Sequence, residues 1–226
     1  MLLPRCHRIK QPASRSLFQS RPAGRLFIFM KRIGLTGGIG CGKSTLVDYL
    51  IGQGMCVVDT DQLAREALSP GQPAYDTVME SLKGACRLED GTLDRSALGH
   101  LVFNDDKKRR WLEGLLHPVI RQAWESRLHT WDREGCPMAV VVIPLLFETQ
   151  AQDLFDHVIC MACSEKEQLH RLLQRGWSQE HIQQRLKAQW SLKEKMDASD
   201  GVIWAEGPLS STFQQWDQIY HRIVSP

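Results

Sequence analysis

Acidic side chains are missing from the first 29 residues, which carry Arg5, Arg8, Lys10, Arg15, Arg21 and Arg25. That absence makes the overall charge of +2 misleading, because without the stretch 22 basic residues face 26 acidic ones, a net charge of −4. A mildly acidic globular part carries no footprint for nucleic acid, so any phosphate-binding charge has to be local. Long apolar runs are missing too. Leu26 to Met30 and Met138 to Phe147 fall far short of the roughly 20 residues of a membrane-spanning helix, and no membrane association is expected. The lone Cys160-Met-Ala-Cys163 has no second ligand pair at zinc spacing and does not open a helix as a redox motif would, so it reads as small buried residues near a strand end. The seven cysteines are odd in number and scattered, with Cys41 in a glycine-rich loop. A reducing compartment, the cytoplasm, is the expectation.

With 42% hydrophobic and 24% charged residues, the chain is expected to form a soluble globular domain with one core, over residues 30–226. The basic, Ser- and Pro-containing segment 1–29 has two readings. It resembles an organellar leader, or translation starts downstream at Met30, directly before the first strand; the second is preferred. Either way it is set aside from the fold as disordered or not translated.

What is there is organised around Ile33-Gly-Leu-Thr-Gly-Gly-Ile-Gly-Cys-Gly-Lys-Ser-Thr45, which contains G-x-x-x-x-G-K-[ST] from Gly37 to Ser44. An apolar strand enters the loop. Its glycines let successive N–H groups point at a phosphate chain, and a side chain at Gly40 or Gly42 would obstruct that approach. Lys43 brings a positive charge to the β- and γ-phosphates, and the Ser44 hydroxyl can ligate Mg²⁺. The helix that starts there adds its partial positive charge. Gly38, Ile39, Gly40, Cys41, Gly42, Lys43, Ser44 and Thr45 are therefore the candidate nucleotide cradle.

Met55 to Val58 reads as a second strand ending in Asp59-Thr60-Asp61, followed by a helix, so the first unit is βαβ with parallel strands. Ligands in such sheets sit beyond the carboxyl ends of the strands, where the loop and the aspartates share one cleft. Between about 69 and 132 the apolar spacing is helical, which predicts a subdomain inserted between strands and covering an acceptor. Trp111, Trp124 and Trp131 in it read as core. Strands follow at Met138 to Ile143, His157 to Ala162 and Gly201 to Trp204. Ser164 with Glu167 forms a capping box opening a helix, Gly176 breaks it, Ser178 caps the next, and residues 208–223 close the chain as a helix. The expected class is α/β, a P-loop three-layer fold with a five-stranded parallel sheet and a helical lid over about 168–190.

Neighbouring motifs decide the use of the phosphate loop. There is no [NT]-K-x-D base-reading motif, which argues against a GTPase switch, and the strand ending Ile143-Pro144 lacks the terminal aspartate of a motor ATPase. A small kinase fits. Asp61 is the best candidate base for an acceptor hydroxyl, with Asp59 assisting metal or acceptor placement, although either aspartate can serve as a helix N-cap. Arg171 and Arg175 lie four apart on one helix face and look like a lid laid over phosphates, against the alternative of a solvated basic face.

The order of short motifs resembles the dephospho-coenzyme A kinase family. They are Thr36 to Thr45, Asp59-Thr-Asp61 with Ala64-Arg65, Gly91 to Arg95, Val102 to Asn104, Leu116-His-Pro-Val-Ile120, Pro144-Leu-Leu-Phe-Glu148, Gln168 to Arg171 with Arg175, and Arg185 to Gln189. The resemblance implies ATP- and Mg²⁺-dependent phosphorylation of the ribose 3′-hydroxyl of dephospho-coenzyme A; a monomer or weak homo-oligomer is the expectation for assembly. It implies Asp61 as general base, Lys43, Arg171 and Arg175 on phosphates, and Asp59, Arg65, His117, Pro144, Leu145 and Glu148 at the acceptor. His117 reads equally well as a packing residue. The chain departs from the family at Cys41, where serine is usual, and at Trp204-Ala-Glu-Gly207, where an Asn-containing turn is common.

Overall fold

The computed structural model describes residues 30–82, 84–103 and 105–224. The basic segment 1–29, for which disorder or non-translation is expected, lies outside them. Five strands, β1 (Lys31–Gly37), β2 (Cys56–Asp59), β3 (Met138–Val142), β4 (His157–Ala162) and β5 (Gly201–Trp204), form one sheet in the order β2-β3-β1-β4-β5. All neighbours pair in parallel, as expected from the sequence. Parallel strands need crossovers, and helices supply them on both faces, so the central strands are apolar throughout. Each residue of β3 is buried.

Side-chain alternation divides the core. Val140 and Val142 join Ile33, Leu35 and Ile159 beneath α1 (Lys43–Gly52) and α9 (Leu209–Val224), where Trp216 is the largest fully buried side chain. Ala139 and Val141 face the other way, onto α2 (Thr60–Ala67) and α5 (Asp106–Glu134) through Leu63, Trp124 and Leu128. The N-terminal half of α5 belongs to a third cluster, with α3 (Pro73–Ser81) and α4 (Arg95–Phe103), centred on Tyr75, Val78, Leu98 and Leu116. One long helix thus ties the sheet to the helices of the insert. Of the three tryptophans read as core, Trp124 is buried and Trp111 and Trp131 pack at the cluster edges.

Beyond β4 come α6 (Glu165–Gln174), α7 (Gln179–Lys187) and α8 (Leu192–Asp197). Ser164 caps α6 by accepting from Glu167 N at 3.2 Å, but the reciprocal half of the expected box is not made. Glu167 is taken instead by Arg171, and Ser164 N donates to Glu206. The complete box sits at Ser191–Glu194, opening the short α8 that the sequence pattern does not reveal.

The cysteines also depart from expectation. Cys56 and Cys136 are disulfide-bonded, whereas Cys41, Cys86, Cys160 and Cys163 are free thiols. The register explains the pairing, because Cys56 lies opposite Ala139 and Cys136 comes just before that strand. The bond sits at the amino edge of the sheet, away from the strand ends that carry the phosphate loop. Among the described residues no helix is long and apolar enough to cross a membrane.

Candidate active site

Strand β1 must end at a glycine. Gly37 has φ 135°, and a Cβ there would lie 2.2 Å from the Met161 carbonyl oxygen on β4. Gly40 and Gly42 also take left-handed φ, 80° and 83°, which curls the loop before Gly42 caps α1. Gly38 to Thr45 accordingly occupy the loop and the first turn of α1, where helix N–H groups suit a phosphate. Lys43 Nζ folds back to donate to the carbonyls of Gly37 and Gly38, at 2.8 and 2.9 Å. Burial pushes the Lys43 ammonium below its ordinary pKa, and the charge of Lys195 adds to that, while Cys41 and Asp61 pull it back up.

The loop is braced from α6. Gln168, buried, donates Nε2 to the Ile39 carbonyl at 2.7 Å. Cys163 Sγ donates to Cys41 Sγ at 3.5 Å, a contact that makes Cys41 more acidic and Cys163 less so. Burial drives the nearby Cys160 thiol up to about 11. Removing the Gln168 amide leaves Ile39 without that donor. We expect Gln168→Leu to raise the KM for ATP about tenfold, roughly the worth of one such hydrogen bond, with the acceptor KM unmoved in steady-state assays.

Arg171 is fixed in place. Its Nε pairs with Glu167 at 2.7 Å, one terminal nitrogen donates to the Ala205 carbonyl at 2.6 Å, and the other would lie 3.7 Å from a Cβ placed on Gly42. The guanidinium therefore stands over the loop from the side of β5. Arg175 sits one turn on, exposed at the end of α6.

Asp59, Thr60 and Asp61 take three distinct tasks. Asp59 is the N-cap of α2 and accepts from Asp61 N at 2.8 Å. Thr60 Oγ1 donates to the Val142 carbonyl at 2.9 Å, fastening α2 to the end of β3. Asp61 is left with its carboxylate at the crevice mouth. Although that residue reaches solvent, the walls around it strip enough water to raise its pKa, and Asp59 raises it further; Lys43, Arg65 and Arg185 act in the opposite sense. The strand order matters here, since β3 lies between β2 and β1 and its exit loop forms the crevice floor.

That loop is held by a residue the sequence reading did not single out. Lys195, fully buried on α8, donates to the Pro144 carbonyl at 2.7 Å and pairs with Glu148 at 2.9 Å. Thr36 Oγ1 reaches the same carbonyl at 3.2 Å, and Glu148 also accepts from Trp190 N at 2.8 Å. Glu148 thus holds the loop together and does not line the adjoining cavity of about 320 Å³. Asp61, His117, Pro144 and Leu145 do line it, with Ile120 and Trp124. Arg65 lies outside that cavity, exposed, one turn beyond Asp61 on α2. Nothing in the sequence marks the lysine of α8 as buried.

Comparison with known proteins agrees over most of the chain. A sequence model of the dephospho-CoA kinase family matches residues 31–210. A dephospho-CoA kinase of Thermosynechococcus vestitus is 42% identical over 192 residues, covering 84% of this chain and 93% of that relative. One of a Synechococcus strain is 43% identical over 179 residues, covering 78% and 86%. Among solved structures, the Thermus thermophilus protein TT1252 superposes with a TM-score of 0.73 at 30% identity, covering 87% of this chain and 99% of that one. The dephospho-CoA kinase of Campylobacter jejuni does so with a TM-score of 0.63 at 26% identity, covering 85% and 96%.

Proposed function

Because this chain belongs to the dephospho-CoA kinase family, we propose that it moves the γ-phosphoryl group of ATP to the ribose 3′-hydroxyl of dephospho-CoA, giving CoA and ADP. What supports the site assignment is the phosphate loop itself, with left-handed Gly40 and Gly42 and Lys43 Nζ folded onto the Gly37 and Gly38 carbonyls, next to a cavity that Asp61 lines; the charges of Lys43 and Asp61 also act on each other.

The loop amides and Lys43 hold the β- and γ-phosphates, for which Lys43 leaves its two carbonyl partners. Arg171 faces the transferring group from the lid side. Asp61 takes the proton of the 3′-hydroxyl as that oxygen bonds to the γ-phosphorus and the bond to the β,γ-bridging oxygen breaks. Asp59 stays with the helix cap and so positions Asp61. The donor set suits Mg²⁺, which is held by few protein oxygens plus substrate phosphates. Among the described residues no group of three or more acidic, His or Cys side chains gathers to hold a metal alone. The Ser44 hydroxyl would hold the ion, which when bound neutralises charge on the phosphate oxygens.

The 320 Å³ cavity beside Asp61, with Trp124, Ile120 and Leu145 in its walls, suits the base and ribose of the acceptor, and α5 of the insert forms one side of it. The four free thiols favour a reducing, cytoplasmic setting, and the Cys56–Cys136 disulfide counts against it.

A coupled ADP-release assay tests the reading. Turnover should require both dephospho-CoA and Mg²⁺. ATP binding without transfer, or equal turnover with shikimate or a nucleoside monophosphate, would overturn it.

A further inference from the structure

A second cavity, of about 500 Å³, opens between α4 and α7, and the function proposed above does not use it. Arg95 and His100 line it from the insert, and His181 and Arg185 from the lid; Glu180 is its one acidic side chain. We propose that this cleft binds the 5′-diphosphate of the acceptor, so that dephospho-CoA bridges insert and lid. The inference rests on the acceptor named above.

The cationic groups are set in advance. The Trp177 ring stacks on His181 with centroids 4.6 Å apart, the Arg185 guanidinium lies 5.8 Å from the Trp177 centroid, and Arg185 Nε donates to His181 Nε2 at 3.3 Å. Arg95 is tethered by one terminal nitrogen to the Arg65 carbonyl at 2.9 Å. A guanidinium held this way loses little freedom when it meets an anion, and its fork matches phosphate oxygens.

The cleft is also in the right place. Arg65 is one helical turn from Asp61, so the tether of Arg95 starts about 6 Å along α2 from the base. From the other wall, Arg185 is near enough for its charge to act on Asp61. In a nucleotide only a few bonds separate the 3′-oxygen from the first phosphorus. A ribose presenting its 3′-hydroxyl to Asp61 must therefore place its diphosphate close by.

Among the described residues, neither the cavity beside Asp61 nor the one lined by Gly38 and Lys187 gathers such a set of cations. Lys43 and Arg171 are committed to the donor nucleotide, and Arg121, the one arginine lining the apolar cavity, is paired with Glu125 at 2.8 Å. The diphosphate has its counter-charges where the base does not, and the two cavities divide one acceptor between them.

The test uses the full chain. Calorimetry with dephospho-CoA should show about ten- to hundredfold weaker binding in Arg95→Gln and in Arg185→Gln, the scale of a charge-assisted hydrogen bond. Binding of adenosine, which keeps the ribose and lacks the diphosphate, should be unchanged, as should binding of ATP. Glu180→Gln should bind dephospho-CoA more tightly, a gain that damage to the fold does not mimic. Wild-type affinity for dephospho-CoA in both arginine variants, or equal losses for adenosine and dephospho-CoA, would overturn the assignment. Binding without turnover by the wild-type protein would count against the function alone; no binding would overturn both.

Discussion

Replacing Asp61 by asparagine should lower kcat by about a hundredfold or more while leaving the KM for ATP near its original value. The same substitution should raise the melting temperature at neutral pH. Both effects come from one cause. The carboxylate sits where desolvation and Asp59 penalise its charge, so its pKa in the folded protein lies above the ordinary aspartate value of 3.8. Between the two values the folded state binds more protons than the unfolded one, and stability falls as pH rises through that window. Above it the penalty is constant, and asparagine removes it. Below it the variant and wild type should melt alike. Activity runs the other way, since a base must be unprotonated. The acid limb of kcat/KM should lie above 3.8 and vanish with the side chain. Denaturation scans and a pH–rate profile on the same two proteins check both. A variant that loses stability along with activity would show Asp61 to be a structural residue.

Much of this arrangement is legible in the sequence. Strands β4 and β5 fall residue for residue where short apolar runs between turn signals put them, His157–Ala162 and Gly201–Trp204. The glycines of the phosphate loop announce their left-handed backbone because few other residues tolerate it. What sequence leaves open is settled by contacts between distant segments. Either Asp59 or Asp61 can cap a helix, and only the backbone at the end of β2 assigns the cap to Asp59. Glu167 has the spacing of a capping-box partner for Ser164, but the stronger attraction of Arg171 on the next turn takes it. Cys56 and Cys136 are 80 residues apart and become neighbours only through the register of β2 on β3. The family resemblance implies that Glu148 shapes the acceptor cleft. Its charge is instead met by a lysine 47 positions later, on a helix too short to advertise itself.

That lysine should matter as much for stability as Asp61 does for rate. Lys195 is 0% exposed, and its partner Glu148 has one carboxylate oxygen, Oε2, already without a hydrogen-bond partner among the described residues. Lys195→Met fills much of the same volume but leaves Glu148 as an unpaired charge next to the crevice floor. Breaking a buried pair from one side costs about 3–5 kcal/mol. At about 2–4 °C per kcal/mol for a chain of this size, the melting temperature should fall by roughly 10 °C. Removing both charges is a different experiment, because an uncharged pair of similar volume no longer has to be desolvated. Lys195→Met with Glu148→Leu should therefore recover most of the lost stability. Recovery of stability does not imply recovery of activity. The Pro144 carbonyl would still lack its donor at 2.7 Å and keep only Thr36, so the loop that leaves β3 would be less firmly set. The double variant should melt near wild type yet retain a raised KM for the acceptor. If it regained both, the pair would be serving stability alone, and if it regained neither, the loss would lie in packing around α8 instead of in the unpaired charge.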